Sequence, residues 1–450
     1  MGGRAGRCHH DGAVARRAVT PEGCPHPLAP SSHCPQPSRR PCVSGLRRVT
    51  IVGMTTTIRI TDPVDLVKVV PYQLGYHPEH SLVLIGLCRK QIGLVQRLDL
   101  PTLPQDCAAA AQLMVAHLRA DGCTAAVLVV YEQTDGEGDA AAAAVASRLR
   151  HDRVELVEHV VVRGEQAFFP ELAGHGARPA GGVLLPPDDH VPAVADYVAH
   201  GRRPAASREA LDARIAAHDD PLRERVRVAA MRLGALRPVQ GSRGKAMADW
   251  GAFLDVGDEA WFAGRTPSAA AVARMCHSLR DLHLRDLITA WLCPGTLELD
   301  AFSADLVDLA HAHLPADRAW PNALSPQGSC DGVDPMSTGG AGAGARQTKP
   351  GKRLNSRARR AGRAERAWRT EQDDRLVERL CWLARHAPDM HAPGVLAVLA
   401  SFTWYLGDGT LTRLALDRAL TLDPGYRLAL LVERMVDLAI RPGQQLTGAG

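Results

Sequence analysis

The spacing of apolar residues changes along the chain, and each change of period marks a different kind of element. After Met54 the triplet Ile58-Arg59-Ile60 alternates as a short strand does. Thr61-Asp62-Pro63 then supplies an N-cap followed by proline at the first helical position, which predicts a helix of about two turns ending at Pro71. Ser81 to Leu87 is a continuous apolar run, the pattern of a strand covered on both faces, and Gly93 to Leu100 is a second strand. The short connection between them predicts an antiparallel hairpin. An alanine-rich helix follows over 105–120, stopped by Asp121-Gly122. Ala125 to Tyr131 reads as a buried strand, 138–150 as a helix, and Val154 to Arg163 as a strand that turns at Gly164 into a further strand over 165–169.

From about Pro192 the period becomes helical. Ser207 caps a helix over 208–217, Pro221 opens another to Leu236, and Thr266-Pro267-Ser268 opens a long one reaching Trp291, broken at Pro294-Gly295. Further on, Asp374 to His386, Gly394 to Leu406, Thr410 to Leu422 and Gly425 to Ile440 are helical, punctuated by Gly407-Asp408-Gly409 and Asp423-Pro424. The order of elements predicts an α/β or α+β fold with a mixed sheet, then a helical subdomain, then a C-terminal helical hairpin module. The expected organisation is a tail or upstream extension over 1–53, an α/β domain over 54–190, and a helical subdomain over 191–324. A basic linker over 325–369, a repeat-like module over 370–443 and a tail over 444–450 complete it.

Composition agrees with a folded chain of two or three compact units: 450 residues, 46% hydrophobic and 23% charged. No apolar run approaches the roughly 18–20 residues that cross a bilayer, so no membrane is expected. The formal charge of +4 is unevenly spread. Residues 1–53 hold eight arginines against Asp11 and Glu22, a net of +6, and residues 346–369 hold ten basic residues against Glu365, a net of +9. The remainder is therefore acidic, and basicity belongs to segments rich in Gly, Pro and Ser. Arg353, Arg357, Arg359, Arg360 and Arg363 are the candidate nucleic-acid contacts, because clustered arginine releases counterions from any phosphate backbone. A solvated, self-repelling linker explains the same run.

The 11 cysteines change the picture little. Cys8, Cys24, Cys34 and Cys42 lie near His9, His10, His26 and His33, yet they lack the short paired spacing of zinc modules. Cys88, Cys107, Cys123, Cys276, Cys293, Cys330 and Cys381 are scattered singly, with no CxxC. They read as reduced thiols in a cytoplasmic protein, and neither a metal site nor a cofactor is expected.

Two constellations stand out. Tyr72, Gly75, Tyr76, His77, Glu79, His80 and Ser81 place a glycine turn, two imidazoles, a carboxylate and a hydroxyl just before the first core strand. A catalytic reading makes His77 or His80 a general base near Ser81, with Glu79 orienting an imidazole. A ligand-binding reading uses Tyr72, Gly75 and Tyr76. A structural reading gives Gly75 positive φ, Pro78 the bend and Ser81 a backbone bond at the strand entrance. The second constellation, Asp135, Glu137 and Asp139 among glycines, follows a strand at the edge where open α/β sheets bind ligands, although a solvated turn has the same composition. His311-Ala312-His313 reads as a polar helix end. Leu396 to Pro424 echoes one tetratricopeptide repeat, a helical hairpin suited to docking a protein partner.

The stretches Asp62-Pro63 through Pro71-Tyr72-Gln73-Leu74-Gly75-Tyr76-His77-Pro78-Glu79-His80-Ser81 and Tyr405-Leu406-Gly407-Asp408-Gly409 through Asp423-Pro424-Gly425-Tyr426 resemble the opening and closing signatures of an uncharacterised actinobacterial family, domain of unknown function 4192. Ser207-Arg208-Glu209-Ala210-Leu211 fits the same family's middle region. The resemblance spans roughly Met54 to Gly443 and implies domain limits rather than chemistry. With no recognisable catalytic motif, the expectation is a cytoplasmic, non-catalytic binding or regulatory protein. The alternatives are a hydrolase using the Tyr76 to Ser81 loop and a nucleic-acid-associated protein using the basic linker.

Overall fold

The computed structural model describes residues 49–52, 57–60, 62–88, 91–101, 103–170, 181–199, 201–235, 242–257, 261, 264–297, 301–316 and 371–440. The five linker arginines proposed for nucleic acid and the four tail cysteines lie outside them.

Among the described residues, eight strands form one mixed sheet. They are β1 (Val49–Val52), β2 (Thr57–Ile60), β3 (Ser81–Cys88), β4 (Gln91–Asp99), β5 (Ala125–Tyr131), β6 (Glu155–Arg163), β7 (Gln166–Phe168) and β8 (Val183–Leu184), in the spatial order β2-β1-β4-β3-β5-β6-β7-β8. The β3–β4 hairpin is antiparallel, as its short connection requires, and β3 also runs antiparallel to β5. β5 and β6 are parallel because the helix α3 (Asp139–His151) crosses between them. The β-branched run Val49-Thr50-Ile51-Val52 of β1 pairs with β2 and meets β4.

Both faces of the sheet are covered, which is why β3 and β5 are apolar at nearly every position. Leu82, Leu84, Leu128 and Val130 point to a core shared with α2 (Pro104–Ala120) and α3. Val83, Ile85, Val127 and Val129 point to the opposite core, shared with α1 (Pro63–Leu74) and the helical half of the chain. That half begins with α4 (Pro192–Ala199), α5 (Arg208–Asp212), α6 (Pro221–Ala235) and α7 (Ser242–Leu254). It continues through α8 (Ala269–Ser278), α9 (Leu282–Leu292) and α10 (Ala304–His313), then α11 (Glu371–His386), α12 (Ala392–Tyr405), α13 (Gly409–Leu422) and α14 (Arg427–Asp437). Among the described residues no helix is long and apolar enough to cross a membrane.

Three helix boundaries differ from the sequence expectation. α1 runs through Pro71 to Leu74. Proline lacks the N–H that would bond the carbonyl of Val67, and the Tyr131 hydroxyl donates to that carbonyl instead, at 3.5 Å, so the turn survives. The long helix expected up to Trp291 is two helices, α8 and α9, because the Asp281 carboxylate accepts from the amides of His283 and Leu284 and starts a new N-terminus. The helix capped by Ser207 is only five residues long.

Candidate functional site

The start of β3 and the ends of β4, β5 and β6 share one edge of the sheet: Ser81 pairs with Asp99 and with Tyr131, and Tyr131 with Val162. The two constellations singled out in the sequence therefore arrive side by side. His80 Nδ1 lies 2.7 Å from Glu137 Oε1, across 57 residues of chain. His80 has φ +41°, a left-handed conformation costly for a residue with a Cβ, and it is held there with its carbonyl accepting from Leu100 N at 2.9 Å. Glu137 Oε2 accepts from the amides of Gln133 at 2.9 Å and Thr134 at 3.4 Å. The Gln133 amide, then His80, holds the Glu137 carboxyl below its ordinary range.

Ser81 does not partner either imidazole. Its side chain is buried, its Oγ accepts from Arg97 Nε at 2.8 Å, and its hydroxyl donates to the Glu79 carbonyl. Arg97 also pairs with Asp99 at 2.6 Å and lies 6.0 Å from the Tyr76 ring centre. β3 turns the Ser81 hydroxyl inward, where it bonds neither imidazole, and Arg97 bonds its oxygen. The side chains of His77 and Glu79 are exposed.

Gly75 ends α1 with φ +81°, and its N–H closes the last turn on the carbonyl of Pro71 at 2.8 Å. From there the backbone zips onto Ala205: Ala205 N donates to Gly75 O at 2.8 Å, and His77 N donates to Ala205 O at 3.0 Å. Tyr76 is buried in this junction, which raises its phenol. The Tyr72 hydroxyl donates to Asp188 Oδ2 at 2.8 Å, and Lys68 pairs with the same carboxylate. Burial, followed by Asp188, pushes the Tyr72 phenol up to about 12.

The acidic turn is organised by a residue that sequence reasoning missed. Glu132, with a side chain 2% exposed, accepts from Gly138 N at 3.0 Å and Gly136 N at 3.3 Å. Arg163 at the end of β6 pairs with Glu132 at 3.1 Å and with Asp135 at 2.8 Å, and its guanidinium covers the Phe168 ring at 3.9 Å. Asp139 is exposed in the first turn of α3, a favourable place for a negative charge. A carboxylate just beyond a fully apolar strand and before paired glycines was the available signal for Glu132.

Beside the Tyr76 junction, a cleft of about 490 Å³ opens between α5 and α13. It is lined by Arg208, Glu209, Asp212, Leu414, Asp417 and Arg418, with Arg208 and Asp417 3.6 Å apart across it. At the opposite end of β3 and β5, Cys88, Asp121 and Cys123, which the sequence scatters singly, bring two sulfurs and a carboxylate oxygen within 4.8 Å of one another.

A family model described as Domain of unknown function (DUF4192) matches residues 63–361 and 352–443. Its two matches meet inside the basic segment. No curated protein and no solved structure matches the chain.

Proposed function

Starting from the membership of this chain in that family of unknown function, we propose that it is a cytoplasmic, non-catalytic binding or regulatory protein that takes a protein partner on its C-terminal helices. In this reading an α/β part over 54–190 and helical parts over 191–324 and 370–443 are joined by the basic linker over 325–369. The observation that carries it is the surface of α13 and α14. Leu422 at the end of α13 is 38% exposed and lines the cleft whose other wall is α5, and Leu430 and Leu431 on α14 and Leu438 at its C-cap are 41%, 58% and 47% exposed. Clustered apolar side chains next to fixed charges are what a protein interface uses for its centre and rim. Tyr72 and Ser81 also support the reading, since the Tyr72 hydroxyl is taken up by Asp188 and the Ser81 hydroxyl by Arg97, each on a neighbouring element.

The test is a double substitution, Leu430→Glu with Leu431→Glu, placed at exposed positions so that the fold is kept. Crosslinking and mass spectrometry in host-cell extract should identify a partner joined to α13 or α14 in the parent chain, and the variant should lose it at unchanged melting temperature. Partner contacts that map elsewhere and survive the substitution would overturn the proposal.

The His80–Glu137 contact favours a second reading, a hydrolase. A carboxylate bonded to Nδ1 orients an imidazole as a general base, and with Ser81 turned inward the nucleophile would be water. Turnover on a hydrolase substrate panel that disappears in both His80→Ala and Glu137→Gln would establish it in place of the first.

A further inference from the structure

We propose that Cys88, Asp121 and Cys123 bind one soft divalent cation of the zinc type, at the sheet edge opposite His80 and Glu137. The residues come from three places: the end of β3, the turn after α2, and the segment entering β5. Their two sulfurs and one carboxylate oxygen all lie within 4.8 Å of one another. Ligands at about 2.3 Å for sulfur and about 2.0 Å for oxygen stand roughly 3.5–3.8 Å apart around a tetrahedral ion, so small closing movements seat a common centre. Cys123 Sγ is already 3.5 Å from Asp121 Oδ2, and Cys88 Sγ 3.9 Å.

Two further observations set this cluster apart from a chance meeting of core thiols. First, the strands are cleared of side chains where the sulfurs converge. A Cβ at Gly93 would lie 2.7 Å from Cys123 Sγ and 2.9 Å from Cys88 Sγ, and one at Gly86 would lie 2.6 Å from Cys123 Sγ. Second, the carboxylate is held in place from outside: Asp121 Oδ2 accepts from Leu94 N at 3.0 Å, the kind of supporting bond that orients a metal ligand.

Donor chemistry selects the ion. Two thiolates favour zinc and similar soft or borderline cations over magnesium or calcium, which prefer sets made of oxygen alone. On binding, each thiol gives its proton to solvent. Two thiolates and a carboxylate around a doubly charged ion leave a net −1, so the fourth position suits a neutral donor. Cys88 is only half-buried, which gives the ion a route in.

Cobalt(II) is the probe, because thiolate ligation produces a near-ultraviolet charge-transfer band. The full chain, purified under anaerobic conditions, should take up one cobalt per molecule with that band, and zinc should displace it. Cys88→Ser and Cys123→Ser should each abolish the band. If the buried Cys123 variant fails to fold, Cys88→Ser and Asp121→Asn carry the test. Replacing Cys8, Cys24, Cys34 and Cys42 together by serine should leave the band intact. A parent chain without a thiolate band, a band that survives Cys88→Ser, or a Cys88–Cys123 disulfide in the anaerobic protein would overturn the proposal.

Discussion

Replacing His391 by leucine should stabilise the protein and blunt its sensitivity to acid. His391 stands at the N-terminus of α12, 5% exposed, and neither ring nitrogen has a hydrogen-bond partner among the described residues. Its ring meets His277 edge-on with centres 5.3 Å apart, and His277 Nδ1 is unpaired as well. A neutral imidazole buried in this way leaves one donor and one acceptor unsatisfied, at a cost of about 1–3 kcal/mol for each. The backbone loses nothing in the exchange, since the His391 side chain makes no capping bond to α12.

Burial, then His277 and Arg280, pushes the His391 pKa down to about 4. In the unfolded chain the ring titrates near 6.5, so between about pH 6.5 and pH 4 the unfolded state binds a proton that the folded state refuses. The histidine's contribution to stability is therefore intact above about pH 6.5, falls as the pH drops, and levels off below about 4. From about pH 8 to pH 5 the loss is about 2 kcal/mol. His391→Leu removes it, and at the higher pH the variant should gain about 2 kcal/mol or more, the lower end of the cost of two unsatisfied groups. Urea unfolding followed by tryptophan fluorescence at both pH values measures each term. His159, also pushed down to about 4 by burial, titrates in both proteins and cancels in the difference. A gap between the two proteins that does not widen on acidification, or a variant less stable at the higher pH, would refute the reasoning.

Substitutions at three other positions test the acidic turn, one close helix contact and one helix cap. Glu132→Ala should cost about 3 kcal/mol, because Arg163 and two amides lose a buried acceptor together. Faster hydrogen exchange at Gly136 and Gly138, with β5 still protected, is the local signature, and unchanged exchange would contradict it. Gly251→Ala should lower stability by about 1–3 kcal/mol in thermal or urea unfolding, since its Cβ would collide with the backbone carbonyl of His313, which cannot swing aside as a side chain would. Asp281→Ala should cost about 1 kcal/mol of unfolding free energy and Asp281→Asn much less, because asparagine still caps α9.

The sheet was legible wherever its strands are buried on both faces. Ala125–Tyr131 and Ser81–Cys88 read as unbroken apolar runs because a helical layer lies on each side. Legibility failed where a tertiary contact replaced a local rule. Pro71 looks like a helix stop from sequence, and the donor that rescues its turn, Tyr131, lies 64 residues from the carbonyl it serves. Trp291 reads as the end of one helix because apolar residues stand on both sides of Asp281, where a single carboxylate captures two amides and divides the run.

The candidate site divides along the same line. His77, Glu79, His80 and Ser81 attract attention because they are adjacent, yet adjacency at a strand entrance sends alternate side chains to opposite faces. Ser81 goes into the fold and His80 goes out, so the local cluster dissolves. The pairings that replace it, His80 with Glu137 and Cys88 with Cys123, follow from β3 lying antiparallel to β5. Once that neighbour relation is given, the residues before β3 must meet those after β5, and the residues at the end of β3 must meet those before β5. One strand pairing thus fixes both edges. The acidic turn is drawn to the histidine at one edge, and the two lone cysteines are drawn to Asp121 at the other.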